Sequence, residues 1–353
     1  MSRSDVRRGP GHLSGIASCL AAASMLSLAA SPASGQVEFW MLEGRPYFDP
    51  PAAGVREANV AALALAWADR VAFQVEPDDP RRVWDIDLGV EMPLMGWQSG
   101  PSDRGRPIAG GWGVGLWIPV DWHMIEDFVD DSAPIIDTDY RFGLAIKAQK
   151  NLGGGERWLS ARVYGGHEST HLGDEFSVVG QREFPGTFER INVSWEFVDV
   201  ALAFEAAALA GLLRAYGGAT RLVGEGGYYG VDSNSITESA IGPVTPSTNR
   251  TDPYGGLEMR WEEVFGGSVG WGVFAGAELR WRSIYDYHKA DPEAEEDRQA
   301  SINVIAGISR TGSVAGLGRV APYVRVYRGV NPFGQFRNQP DFTLYGVGLR
   351  LFR

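Results

Sequence analysis

The chain has 353 residues, 32 Lys and Arg against 44 Asp and Glu, and a formal net charge of −12, with 46 Gly, 12 Trp and 12 Tyr. Acidity without a basic cluster excludes an ordinary nucleic-acid binder and suits solvated loops. The body of the chain lacks a run of about 18 apolar residues, which excludes a helical membrane protein; it does not exclude a barrel, whose strands give only every second residue to lipid.

Residues 1–35 read as a cleaved signal peptide. Arg3, Arg7 and Arg8 form a basic start, Leu13 to Ala30 is apolar, and Ala33-Ser34-Gly35 offers a small-residue cleavage site before Gln36. Ile16-Ala17-Ser18-Cys19 resembles a lipoprotein box, but the apolar run mostly follows Cys19, whereas such a box needs it before. Cys19 is the only cysteine, so residues 36–353 are expected to lack disulfides and thiol chemistry.

From there the chain alternates with period two. Trp84, Ile86, Leu88, Val90 and Met92 share a face opposite Asp85, Asp87, Gly89 and Glu91. Trp112 to Trp122 and Trp271 to Trp281 each bracket an apolar face with Trp at both ends. Ten residues at about 3.4 Å each, tilted by about 40°, rise roughly 26 Å, close to the apolar band between the aromatic girdles of a membrane barrel. Tyr140, Phe142, Leu144 and Ile146 repeat the pattern, as do Ile191, Val193, Trp195 and Phe197, each set read as outward. Strands are expected to start near residues 57, 82, 110, 138, 157, 188, 212, 254, 269, 299, 320 and 341. Residues 36–353 therefore predict an all-β, antiparallel transmembrane β-barrel of about 12 strands. Ala201 to Leu213 could instead be a short helix.

Connections alternate between long polar ones, such as 168–187 and 223–253, and short ones, such as 151–156, as external loops and periplasmic turns do. The 98–109 connection is long for a turn. The terminal Leu349-Arg350-Leu351-Phe352-Arg353 is irregular, because Phe352 is out of phase with Val347, Leu349 and Leu351.

Tyr164-Gly165-Gly166-His167-Glu168-Ser169-Thr170-His171-Leu172-Gly173-Asp174-Glu175-Phe176 is the stretch richest in chemistry. Together with Thr138-Asp139-Tyr140 and Asn331-Pro332-Phe333-Gly334-Gln335-Phe336, it resembles the bacterial family known as domain of unknown function 1207. The resemblance implies an exported, barrel-type protein and brings no established activity.

Three readings of this box differ in chemistry. His167-Glu168-Ser169-Thr170-His171 spells the zinc-peptidase motif, which needs a helix to bring both His together. A strand would separate them by roughly 13 Å, too far to share a zinc ion, so no metal or other cofactor is expected. In the second reading His167 and Ser169 face outward near the external membrane edge, as in outer-membrane phospholipase A and lipid A deacylases. His167 is then the base, Ser169 the nucleophile and Glu189 the orienter. Those families place Asn after the Ser, where this chain has Thr170. In the third reading His171, Asp174 and Glu175 join the box in a hydrogen-bonded loop base, which is what most polar loop clusters are.

Inward positions carry both signs: Asp85, Asp87, Glu91, Glu196, Glu258, Glu262 and Glu278 against Arg141, Lys147, Arg162, Arg190, Arg260, Arg280, Arg282, Arg325 and Arg350. A balanced set predicts cross-strand pairs and a narrow or closed lumen, with a small-solute channel as an alternative. The expected surroundings are outer-membrane lipid and, during biogenesis, the barrel-assembly machinery; nucleic acid is not an expected partner.

Overall fold

The computed structural model describes residues 37–43, 47–69, 80–103, 105–128, 133–154, 156–173, 192–223, 228–229, 251–265, 270–284, 297–310, 319–334 and 340–352. The expected leader, 1–35, lies outside the described residues. The strands are β1 (Val37–Met41), β2 (Val60–Asp69), β3 (Arg81–Ser99), β4 (Ser102–Asp103), β5 (Arg106–Pro107), β6 (Trp112–Asp127), β7 (Ile135–Asn151) and β8 (Arg157–Leu172). They continue as β9 (Asn192–Ala208), β10 (Gly211–Val223), β11 (Tyr228–Tyr229), β12 (Thr251–Phe265), β13 (Trp271–Ile284), β14 (Asp297–Arg310), β15 (Arg319–Gly329) and β16 (Phe342–Phe352).

Twelve of these strands close a barrel. β2 pairs with β16, the order runs back through β15, β14, β13, β12, β10, β9, β8, β7 and β6, and β6 pairs with β3, which returns to β2. Every pairing is antiparallel. Each of these twelve strands therefore has two neighbours, which is what a sheet in lipid requires of its backbone, while β1 pairs with β3 alone.

The outer face is apolar. Leu65, Leu88, Leu144, Leu257, Leu279, Val304, Val326 and Leu349 are all exposed on it. Aromatics flank this band. At the end bearing the long connections, here the upper end, Trp67 stacks on Tyr345 at 5.8 Å, Trp84 on Phe128 at 4.8 Å and Trp122 on Tyr140 at 6.1 Å. At the lower end Trp97 packs on Phe39 at 5.7 Å.

The lumen is filled by the chain itself. β1 pairs with the lower half of β3, Val37 opposite Ser99, and β2 with its upper half, Val60 opposite Leu88. Between them the chain leaves the wall, and residues 47–59 run through the interior as an irregular segment. Such a segment brings backbone groups that must find partners, and the wall supplies them. Lys147 Nζ donates to the Phe48 carbonyl (2.7 Å), Arg214 Nη2 to that of Asp49 (2.6 Å), Arg350 Nη1 to that of Ala52 (2.7 Å) and Asn303 Nδ2 to that of Ala53 (2.7 Å). Arg141 donates to the Arg56 carbonyl, and the Ala53 amide donates to Glu258 (3.1 Å). Side chains add to this grip. Arg162 forks onto Glu57 and also reaches Asp199 at 2.8 Å. The guanidinium groups of Arg162 and Arg214 each approach the Phe48 ring at 5.0 Å. The segment returns to the wall against Gly89, where a Cβ would lie 2.4 Å from the Ala58 backbone; any other residue would bar that approach.

Both ends are also covered. Below, the β4–β5 hairpin turns inward: Trp158 Nε1 donates to the Pro107 carbonyl (2.8 Å), and Arg106 pairs with Glu205 (2.9 Å) and stacks over Trp158 at 4.2 Å. This explains the long 98–109 connection. Above, Val330, Asn331, Pro332, Phe333 and Gly334 are buried in the mouth.

Several expectations are corrected. Ala201 to Leu213 is not helical; it forms the β9–β10 hairpin, turning on Leu209 and Ala210, both at positive φ (51° and 58°). On β9, Trp195 and Phe197 point inward, and the Glu196 side chain is 60% exposed. The lumen is packed with aromatic rings, so the rule that apolar residues face lipid inverts there. Glu262 is likewise exposed, paired with Arg319 at 3.0 Å; Arg190 lies outside the described residues. Phe352 turns inward onto Phe274 at 4.7 Å, which accounts for its phase.

Breaking a buried ion pair one-sidedly costs about 3–5 kcal/mol, whereas exposed pairs contribute about 0–1 kcal/mol. Arg162→Met, which strands Glu57 and Asp199, is therefore expected to lower the urea midpoint of heat-modifiable gel mobility clearly, while Arg319→Met leaves it nearly unchanged. Equal effects would show that the lumen contacts are not holding the barrel.

Candidate functional site

Three sequence motifs converge on one side of the upper rim. Asp137↔Leu172 to Asn151↔Trp158 registers β7 with β8, which sets Thr138-Asp139-Tyr140 beside Ser169-Thr170-His171. Asp139 points inward and accepts from the Gly334 amide (3.0 Å) and from Arg56 Nη1 (2.6 Å). Phe333 packs on His123 at 4.6 Å, and Arg282 Nη1 donates to the Asn331 carbonyl (2.9 Å). Thr170 Oγ1 donates to Asp137 (3.2 Å). The inward half of the box thus ties the 330–334 segment into the mouth.

Glu168 belongs to this inward half. It pairs with Arg56 (3.0 Å) and with Arg141 Nε (3.1 Å). Between these groups and β12–β15 lies a small upper vestibule, lined by Arg280, Arg282, Asp252, Ser301 and Tyr327 among others. Its charges are mutually engaged: Arg280 with Glu278 at 3.3 Å and Arg282 with Asp252 at 3.9 Å.

The outward half of the box is a separate cluster. The strand alternates through it, so His167, Ser169 and His171 share the outer face. Ser169 Oγ lies 2.9 Å from His171 Nε2. His167 Nδ1 instead lies 3.1 Å from Glu196 Oε1 on β9 and packs against Phe142 at 5.4 Å. The sequence reading that paired Ser169 with His167 meets a structure in which His171 is the partner. Both histidines share the parity of Ser169, and side-chain rotation, which periodicity does not specify, selects between them. His171 meets Tyr140 edge-on at 6.1 Å. Glu189, Asp174 and Glu175 lie outside the described residues. Residues 164–172 of the box are strand and not helix, so its two histidines are held apart on separate partners. Among the described residues no group of three or more His, Cys, Asp or Glu is placed to hold a metal.

Residues 109–229 match the family described as protein of unknown function (DUF1207). The chain resembles that family over β6 to β10, the strands that build both halves of the box. The matched stretch stops short of Asn331-Pro332-Phe333-Gly334, which the sequence resemblance had included. No match was found among curated proteins. Solved structures similar to the chain include the β-domain of the Bordetella autotransporter BrkA (12% identity, 84% of this chain and 100% of that one, TM-score 0.38). A loop-deletion mutant of OmpT, an outer membrane protein of Vibrio cholerae, is similar at 10% identity (90% and 99% covered, TM-score 0.31). A bacterial polysaccharide outer-membrane secretin is similar at 8% identity (84% and 99% covered, TM-score 0.27). These likenesses are distant, and the fold stands on the closed sheet itself.

A Cβ on Gly334 would lie 2.6 Å from Asp139 Oδ1 and 2.7 Å from Thr170 Cβ. Gly334→Val is expected to undock the 330–334 segment. Limited proteolysis of the folded barrel should then cut there at least several-fold faster than in the wild type; unchanged cleavage would mean the segment is not anchored through Gly334.

Proposed function

We propose that the protein is an integral outer-membrane barrel that is closed to solutes. The observation that carries this is the grip of wall cations on the carbonyls of residues 47–59. An open channel keeps its lining side chains solvated, whereas here they are spent on the chain's own backbone. The capped lower end and the docked 330–334 segment support the same reading. A channel selective by charge would favour lining residues of one sign; the paired interior argues against that alternative.

The apolar belt between two aromatic girdles is what supports a membrane location. Outer-membrane lipid then surrounds the belt, and the barrel-assembly machinery is the expected folding partner. No reaction is assigned to the lumen, because its titratable groups are occupied by one another and by the 47–59 segment.

Two measurements test this reading. Membrane fractionation is expected to recover the protein in the outer membrane with heat-modifiable gel mobility; full solubility without detergent contradicts it. In planar bilayers the purified protein should give no steady conductance, and large ohmic steps would overturn the closed lumen.

A further inference from the structure

We propose that Ser169 and His171 form a nucleophile–base pair on the outer surface of the barrel, acting on the acyl ester of a membrane lipid. Three observations carry this. The first is contact: Ser169 Oγ lies 2.9 Å from His171 Nε2, the reach a base needs to take the hydroxyl proton.

The second is level. Trp122 pairs in register with Tyr140, and Tyr140 with Ser169. The serine therefore stands beside Tyr140, one of the aromatics of the upper girdle, where side chains of this kind mark the boundary between hydrocarbon and headgroups. Acyl ester bonds of membrane lipids lie at that boundary, with their chains in the apolar layer and their headgroups in water.

The third is surroundings. Below the pair, the outward positions of β7 are Phe142, Leu144 and Ile146, all exposed. They form an apolar track along which an acyl chain can lie while its carbonyl reaches Ser169. Polar side chains on the lipid face of a barrel are costly toward the membrane middle and tolerated near its edge. Ser169 and His171 are half-buried on this outer face, whereas Asp139 and Glu168 are turned away into the lumen.

In the reaction, Ser169 Oγ bonds to the acyl carbonyl carbon while its proton passes to His171 Nε2. The ester C–O bond breaks, and the departing alcohol takes that proton. Water, giving a proton to the same nitrogen, then cleaves the acyl-serine and frees the fatty acid, and the returned proton restores the Ser169 hydroxyl. His167 stays outside this scheme, held against Glu196.

The lipid nature of the substrate rests on the membrane location proposed above. Detergent-dispersed substrate keeps the assay independent of where the protein resides. Full-length protein in mixed micelles is given either phosphatidylethanolamine or lipid A, and fatty-acid release is followed. In parallel, a fluorophosphonate probe is used to label activated serine. The wild type should release fatty acid from one of the two, which identifies the lipid source, and should carry the label on the peptide containing Ser169. Ser169→Ala should abolish both. His171→Ala should slow both by about 10²-fold or more, and His167→Ala should leave labelling in place. Heat-modifiable mobility of each variant confirms that the barrel is folded. An unlabelled Ser169, release that survives Ser169→Ala, or labelling without release from either lipid would each overturn the proposal. A loss caused by His167→Ala but not by His171→Ala would overturn the assignment of the base.

Discussion

An irregular segment enclosed in a barrel carries backbone groups that no water can satisfy in bulk, and leaving one unpaired costs on the order of 1–3 kcal/mol. Residues 47–59 are such a segment, and the barrel interior is arranged around their needs. Carbonyls at Phe48, Asp49, Ala52, Ala53 and Arg56 each receive a donor from a different wall residue. Most of those donors are cations, and cations in an enclosed space need counter-charges. Hence the wall carries both signs: Glu91 serves Lys147, and Glu258 serves Arg214. The mixed charges that in sequence predict cross-strand pairs also serve as a receptor site for the chain itself.

This explains which parts of the fold were legible. Period-two alternation and Trp-bracketed faces report a wall strand directly, since lipid imposes one chemistry on the outer face of every strand. Strand starts near 57, 82, 157 and 320 correspond to β2, β3, β8 and β15, beginning at 60, 81, 157 and 319. Alternation fails where the inner face is also apolar. On β9, Trp195 is buried inside the barrel and Phe197 sits beneath Arg141 and against Tyr164, so both faces of the strand carry apolar residues and local pattern cannot rank them.

The 47–59 segment was not legible at all. Pro50-Pro51-Ala52-Ala53-Gly54 carries no periodicity, and the partners that fix it lie far along the chain. Glu258 is 205 residues from Ala53, and Arg350 is 298 from Ala52. Likewise the parity of Ser169 was readable from β8, but its contact with His171, while His167 meets Glu196 of the neighbouring strand, was not. In both cases local sequence supplied the residue types, and cross-barrel contacts determined which residues met.

Residues 47–59 lie inside the barrel against its wall, and this placement can be trapped directly. A Cβ built on Gly276 of β13 lies 3.2 Å from the Ala53 Cβ, near the separation of about 3.5–4.5 Å that a disulfide spans. The double variant Ala53→Cys/Gly276→Cys, oxidised in the folded barrel and digested under non-reducing conditions, should yield a peptide linked through positions 53 and 276. Two free thiols that both react with a small maleimide in the folded protein would contradict this placement.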